Sequence, residues 1–180
     1  YLVKSGEYEL AYKQFNHAKC MSDQLSSFQA LVENHNPYQK EVIERFYELH
    51  HADAQTIDRW FSVQSISPST SVAGIRELMS HKLFTMKNPN RVRSVFGSFS
   101  QNHIQFHCQE GYQLMTEVII ELDALNPQIA ARFASIFNHW RRFTSHYSKL
   151  QKAELKTISE VDNLSNNVYE IVHIALEGKT

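Results

Sequence analysis

The chain has 180 residues, 42% hydrophobic and 12% aromatic, which is enough apolar material for the core of an ordinary domain and excludes a disordered chain. Lys and Arg total 18 against 19 Asp and Glu, a formal charge of −1, so no positive field exists to draw nucleic acid. The longest apolar runs, such as Val118-Ile119-Ile120, fall far short of the roughly 20 residues that span a bilayer, and 5 glycines with 4 prolines leave few points to punctuate short strands, which favours helices.

Apolar residues recur at helical spacing along nearly the whole chain. Glu7 to Ala18 places Leu10, Ala11, Phe15 and Ala18 on one face. Ser22 is suited to cap a second helix, Asp23 to Glu33, with a stripe of Leu25, Phe28, Leu31 and Val32. Asn36-Pro37 restarts the chain, and Tyr38 to His50 predicts a helix burying Val42, Phe46 and Leu49. Asp53 opens the next, with Ile57, Trp60, Phe61 and Gln64 in sequence before Ser67-Pro68 stops it. Ser69 to Ser71 supply a cap for a short helix carrying Val72, Ile75, Leu78 and Met79. Asn88-Pro89 pairs a good cap with proline at the first helical position, predicting a helix over 89–99. Ser100 to Glu110 has no periodicity and reads as a loop. Gly111 to Leu125 turns Leu114, Met115, Val118, Ile119 and Leu122 inward. A second Asn-Pro start, Asn126-Pro127, opens a helix to about Phe143. Tyr147 to Glu160 and Asn166 to Glu177 complete the set, the last capped by Ser165.

Roughly nine helices with short links and no strands must bury their stripes on one another, in a bundle or a stacked array of helix pairs. No fixed repeat of the tetratricopeptide or ankyrin kind is present, and weakly marked armadillo or HEAT-like repeats are compatible with the pattern. Cys20 and Cys108 are too few and too far apart for a disulfide framework or a zinc knuckle. They read as free thiols in a reducing compartment, so the expected location is cytoplasmic. No signal peptide opens the chain, and a start at Tyr1 without Met reads as a cut from something longer.

Chemistry-bearing motifs are scarce. His103 and His107 lie four apart with Cys108 and Glu110 behind them, but that segment has no helical periodicity and H-E-x-x-H is absent, so they read as loop histidines packed on neighbours. His50-His51 reads as a helix end, where a protonated imidazole suits the dipole. Nucleophile-elbow, dinucleotide and phosphate-loop motifs are missing. Glu121 and Asp123 sit two apart on a helix and face apart.

The two Asn-Pro starts stand out: Asn88-Pro89-Asn90-Arg91-Val92-Arg93 and Asn126-Pro127-Gln128-Ile129-Ala130-Ala131-Arg132. Arginine near a positive helix end is unfavourable by itself. Either each arginine reaches a carboxylate or a carbonyl elsewhere, or the two helix ends line a cavity for something with carbonyls and a carboxylate, such as a peptide.

The string Phe84-Thr85-Met86-Lys87-Asn88-Pro89-Asn90-Arg91-Val92-Arg93-Ser94 resembles the F-T-x-x-N-P-N-R-x-R-S segment of the bacterial aminopeptidase N family. So do Gly111-Tyr112, Leu122 to Arg132, Trp140-Arg141-Arg142-Phe143, Leu164-Ser165, and Trp60-Phe61-Ser62-Val63-Gln64 before Ser67-Pro68, all in the same order from about Met21 onward. The chain departs from the family at Phe106 to Tyr112, where F-H-x-x-D-G-x-G-Y is replaced by Phe-His-Cys-Gln-Glu-Gly-Tyr.

The resemblance implies a single all-α domain over residues 1–180, a superhelical stack of paired antiparallel helices excised from the C-terminal part of a larger peptidase, with the domain's first helices left open. It implies a parent zinc metallo-aminopeptidase whose absent catalytic domain holds one zinc, while this chain holds neither cofactor nor metal, carries no catalytic residue and is inactive alone. The implied partners are the catalytic domain of the same polypeptide and peptide substrates, with no nucleic acid and no membrane. Carried over, Arg93, Gln128 and Arg132 would line the substrate channel. The alternative from another class is a helical-repeat interaction scaffold without peptidase chemistry.

Overall fold

A computed structural model describes residues 6–178. Among them are ten α-helices and no strand: α1 Tyr8–His17, α2 Met21–Glu33, α3 Gln39–His50, α4 Ala54–Ile66, α5 Val72–Met79, α6 Pro89–Val92, α7 Gln109–Leu125, α8 Pro127–Ala134, α9 Ser145–Ser159 and α10 Asn166–Glu177. A π-helical turn, Arg93–Gly97, follows α6, and a 3-10 segment, Ser135–Arg142, follows α8. No helix is long and apolar enough to cross a membrane. The helices divide between two compact units, residues 1–82 with 93–102 and residues 83–92 with 103–180.

The first unit is built on phenylalanines at helical spacing. Phe15 of α1, Phe28 of α2 and Phe46 of α3 are almost wholly buried, with Phe28 and Phe46 stacked at 4.3 Å and Phe15 at 6.3 and 6.4 Å from them. Offset ring pairs of this kind add to the large area each ring removes from water. Asp53 caps α4, accepting from the amides of Gln55 and Thr56, as its sequence position predicts. At the other end Ser67 and Pro68 stop the helix. The Ser67 hydroxyl, wholly buried, donates to the Val32 carbonyl at 2.8 Å, and Asn102 Nδ2 donates to the Ser67 carbonyl at 2.7 Å, so the turn satisfies its own backbone and a last-turn carbonyl of α2. Trp60 Nε1 donates to the Ile43 carbonyl at 2.9 Å, tying α4 to α3.

Four sequence expectations are corrected in this unit. Leu10 and Leu49 are exposed at 50% and 56%, because their helices bury a narrower arc than the apolar residues alone suggest. Ser22 lies inside the first turn of α2, which opens at Cys20 without a side-chain cap. His50 is no charged helix end: its ring packs on Phe46 and its Nε2 meets Gln24 Oε1 at 2.8 Å, and burial lowers its pKa against the pull of Asp53. His51 sits at the end of α3, with Nδ1 at 3.0 Å from the Glu48 carbonyl.

The second unit centres on α7, whose Leu114, Met115, Val118, Ile119 and Leu122 are buried as the periodicity predicts. It packs against α8 and α9, and α10 packs against α8, α9 and the 3-10 segment. Tyr112 meets Phe106 and Phe137 edge-on at 5.4 and 5.9 Å. The helix starts two residues earlier than predicted, because Cys108 Sγ accepts from the Gly111 amide and acts as the cap. The predicted helix from Asn126 to Phe143 tightens into 3-10 form after Ala134 and kinks at His139.

Both ends of α10 are tied to earlier parts of this unit. Ser165 caps its start, with Oγ accepting from the Val168 amide, and itself donates through N and Oγ to Asp123, the amide at 2.7 Å. Asp123 is buried and Glu121 exposed, as their spacing predicts. At the other end Arg141 sends Nη1 to the Ala175 carbonyl at 2.7 Å and Nη2 to the Leu176 carbonyl at 2.8 Å, while Trp140 Nε1 also donates to Ala175 at 3.0 Å. A cation on the last carbonyls suits the helix dipole. Gly178 ends the helix at φ 78, with the Arg141 guanidinium close enough that a Cβ would meet Nη2 at 3.0 Å.

Candidate functional site

Asn126 Oδ1 accepts from the Ile129 amide at 3.2 Å and Pro127 fills the first helical position, so α8 starts as the Asn-Pro pair predicts. Its inner face buries Ile129, Ala130, Phe133 and Ala134. The face left outside carries Gln128 and Arg132, one helical turn apart and both exposed. Neither side chain has a hydrogen bond or ion pair among the described residues, and the Arg132 carbonyl accepts from Ser135 Oγ. Arg93 lies in the other unit, at the start of the π-helical turn, exposed between the buried Val92 and Ser94. It too has no bonded partner among the described residues. Of the two readings open for these arginines, the one in which each reaches a carboxylate or carbonyl in this fold finds no such contact for Arg93 or Arg132 among the described residues. Arg91, by contrast, is buried.

An amide and a guanidinium one turn apart present donors to a carbonyl and a carboxylate, while the Gln128 oxygen accepts from an amide. Among the described residues no three His, Cys, Asp or Glu side chains are placed to hold a metal ion. His103 and His107 stack at 6.1 Å, and His107 Nδ1 is bonded to Tyr112 Oη at 2.8 Å.

That bond belongs to a polar chain the sequence does not announce. Gln151 Nε2 donates to Tyr112 Oη at 3.0 Å, and with Gln151 and Tyr112 both buried the phenol proton goes to His107 Nδ1. Burial pushes the Tyr112 hydroxyl up to about 12. The bond requires His107 to accept, hence a neutral ring, and burial, reinforced by the charge of His103, lowers its pKa. The unfolded chain therefore takes up this proton first on acidification. Stability should be complete above about pH 6.5, the ordinary histidine value, and fall as pH drops below it. His50 acts with the same sign. Urea midpoints measured from pH 7.5 to 5.5 should decline, and the decline should be shallower in His107→Gln; a flat profile would contradict this account.

A pocket of about 370 Å³ lies in the first unit between α3, α4 and α5, and another of about 270 Å³ lies in the second beside Asp123 and the loop before α10. Neither is lined by Arg93, Gln128 or Arg132.

The chain is similar over most of its length to larger proteins. It is 32% identical over 171 residues to aminopeptidase N of Escherichia coli (strain K12), covering 93% of this chain and 20% of that protein. It is 33% identical over 172 residues to aminopeptidase N of Haemophilus influenzae, with coverage of 93% and 20%. The crystal structure of Legionella pneumophila aminopeptidase A in complex with aspartic acid matches with a TM-score of 0.91 at 28% identity, covering 97% of this chain and 21% of that one. The chain thus spans about a fifth of the length of the curated relatives it matches. The resemblance to aminopeptidase N and the all-α, armadillo-like architecture are both borne out. With residues 1–177 matching the model described as "Domain of unknown function (DUF3458_C) ARM repeats", the chain belongs to that family of ARM-repeat domains.

Proposed function

We propose that this chain is the non-catalytic C-terminal domain, residues 1–180, of a cytoplasmic zinc aminopeptidase, where it closes over the active-site cleft and lines the path taken by peptides. The observation that carries the reading is the likeness, over nine-tenths of this chain, to proteins named aminopeptidase. The outward pair Gln128 and Arg132 supports a part in holding peptide, with Arg93 as a further donor. The zinc implied for the parent finds no fitting donor set among the described residues, so no step of hydrolysis is derived from this chain. What its own residues do is bind and orient: Arg132 holds a terminal carboxylate, and Gln128 a backbone carbonyl beyond the scissile bond. The partners are the catalytic domain of the same polypeptide and peptide substrates.

The test is made in the complete protein. Arg132→Ala should lower kcat/KM for tripeptides with a free carboxylate by about tenfold to a hundredfold, the size of one charge-assisted contact. A single-residue chromogenic amide lacks that group and should be turned over almost as before. Equal loss on both would mean that Arg132 only holds this domain to the catalytic domain, and absence of peptidase activity in the complete protein would remove the reading altogether.

A further inference from the structure

The pocket of about 370 Å³ in the first unit is lined by α3, α4, α5 and the turn before α5, and its polar groups are two glutamine amides, the Glu77 carboxylate, the hydroxyls of Ser69, Thr70 and Ser71, and the His81 ring. Gln64, only 9% exposed, donates through Nε2 to the Trp60 carbonyl at 3.0 Å. That bond fixes the orientation of the amide and leaves Oε1 as an acceptor with no partner among the described residues. Gln39, also on the wall, spends both Nε2 protons, on the Val32 carbonyl at 2.7 Å and Ser69 Oγ at 2.9 Å, which again leaves an amide oxygen. Glu77 brings a carboxylate with no hydrogen bond or ion pair among the described residues. No lysine or arginine lines the space. Ile43 and Leu78 supply apolar wall, and the His81 ring, held against Tyr47, Trp60 and Phe61 at 5.1 to 5.5 Å, closes one side.

An amide oxygen without a protein partner is met by water or by a ligand that donates to it. Two such oxygens and one unpaired carboxylate in one concavity suit a ligand that is cationic and carries several donors. An alkylguanidinium has that description: five donors in a plane, a fixed positive charge and a short apolar stem to lie along Ile43 and Leu78. We propose that this pocket binds an alkylguanidinium group, with Glu77 pairing its charge and Gln64 and Gln39 accepting its remaining protons. The pocket is independent of Arg93, Gln128 and Arg132, and the proposal does not rest on the peptidase reading.

The test uses the 180-residue chain, labelled with 15N, titrated with ethylguanidinium chloride at pH 8. The side-chain amide signals of Gln64 and Gln39 and the backbone signal of Gly74, which also lines the space, report on the pocket. Saturable shifts confined to these groups are expected, and ethylurea, the neutral isostere, should produce none. Glu77→Gln sits at an exposed position and should fold normally while weakening binding by about tenfold or more. L-arginine and a blocked glycyl-arginyl-glycine amide separate the two sources of the group: shifts with the blocked peptide assign the pocket to an arginine side chain of a polypeptide, and shifts with free arginine alone assign it to a small molecule. Absence of saturation, equal shifts with ethylurea, or binding unchanged in Glu77→Gln would each overturn the proposal.

Discussion

Replacing Gly111 with alanine should lower the unfolding free energy by about 4 kcal/mol, beyond the usual range for overpacking and a large share of the roughly 5–15 kcal/mol that holds a native domain together. A Cβ at this position would sit 2.3 Å from the Phe106 carbonyl oxygen and 3.0 Å from its carbon. Both are backbone atoms, so no side-chain rotation relieves the overlap. Phe106 cannot retreat, because its ring is 1% exposed against Tyr112, and the Cys108 amide donates to that same carbonyl at 2.8 Å. The Gly111 amide is meanwhile held by Cys108 Sγ at 3.3 Å. The substitution must break either the close passage of the 106–108 loop or the first turn of α7. Urea denaturation followed by circular dichroism measures it, and a loss below about 1 kcal/mol would show that the loop moves aside freely.

Asp123→Ala should cost about 3 kcal/mol, the upper part of the range for hydrogen bonds to a charged group, because two bonds end on one carboxylate and both donors sit on Ser165. Without it the Ser165 amide, at the turn into α10, and its hydroxyl lose their acceptor where the backbone is half-buried. Asp123→Asn keeps one acceptor oxygen and should recover part of the loss. The damage should be local: amide exchange at the start of α10 should accelerate more than exchange in α3 or α4, which belong to the other unit. Uniform acceleration along the chain would mean that α10 is no separate element of stability.

The helices were legible where periodicity and end chemistry agree. Asp53, Ser71, Asn126 and Ser165 each cap the helix that their position announces, since an N-cap needs only local geometry. Ser22 fails for the converse reason: a serine suited to capping is displaced when the apolar face, packed on another helix, draws one more half-turn into the helix. The π-helical turn at Arg93–Gly97 left no mark in the sequence, because widening one turn changes spacing without changing composition. The residues proposed for the peptide path, Arg93, Gln128 and Arg132, rest on resemblance, and only the face shared by Gln128 and Arg132 follows from spacing. The acceptor pocket was hidden altogether. Gln64 was placed in a helical run with apolar residues, and nothing in that pattern tells that its amide nitrogen is spent on the Trp60 carbonyl while its oxygen is left over.

The ties on α10 bear on the order in which the chain is made. Asp123, Trp140 and Arg141 all precede α10, so when its residues leave the ribosome both fixtures that receive it have already been synthesised. A short helix is marginal alone in water, and the N-terminal side of a growing chain folds first. The second unit can thus gather around α7 and the 3-10 segment with an open berth between Asp123 and Arg141, into which the late segment coils as it arrives.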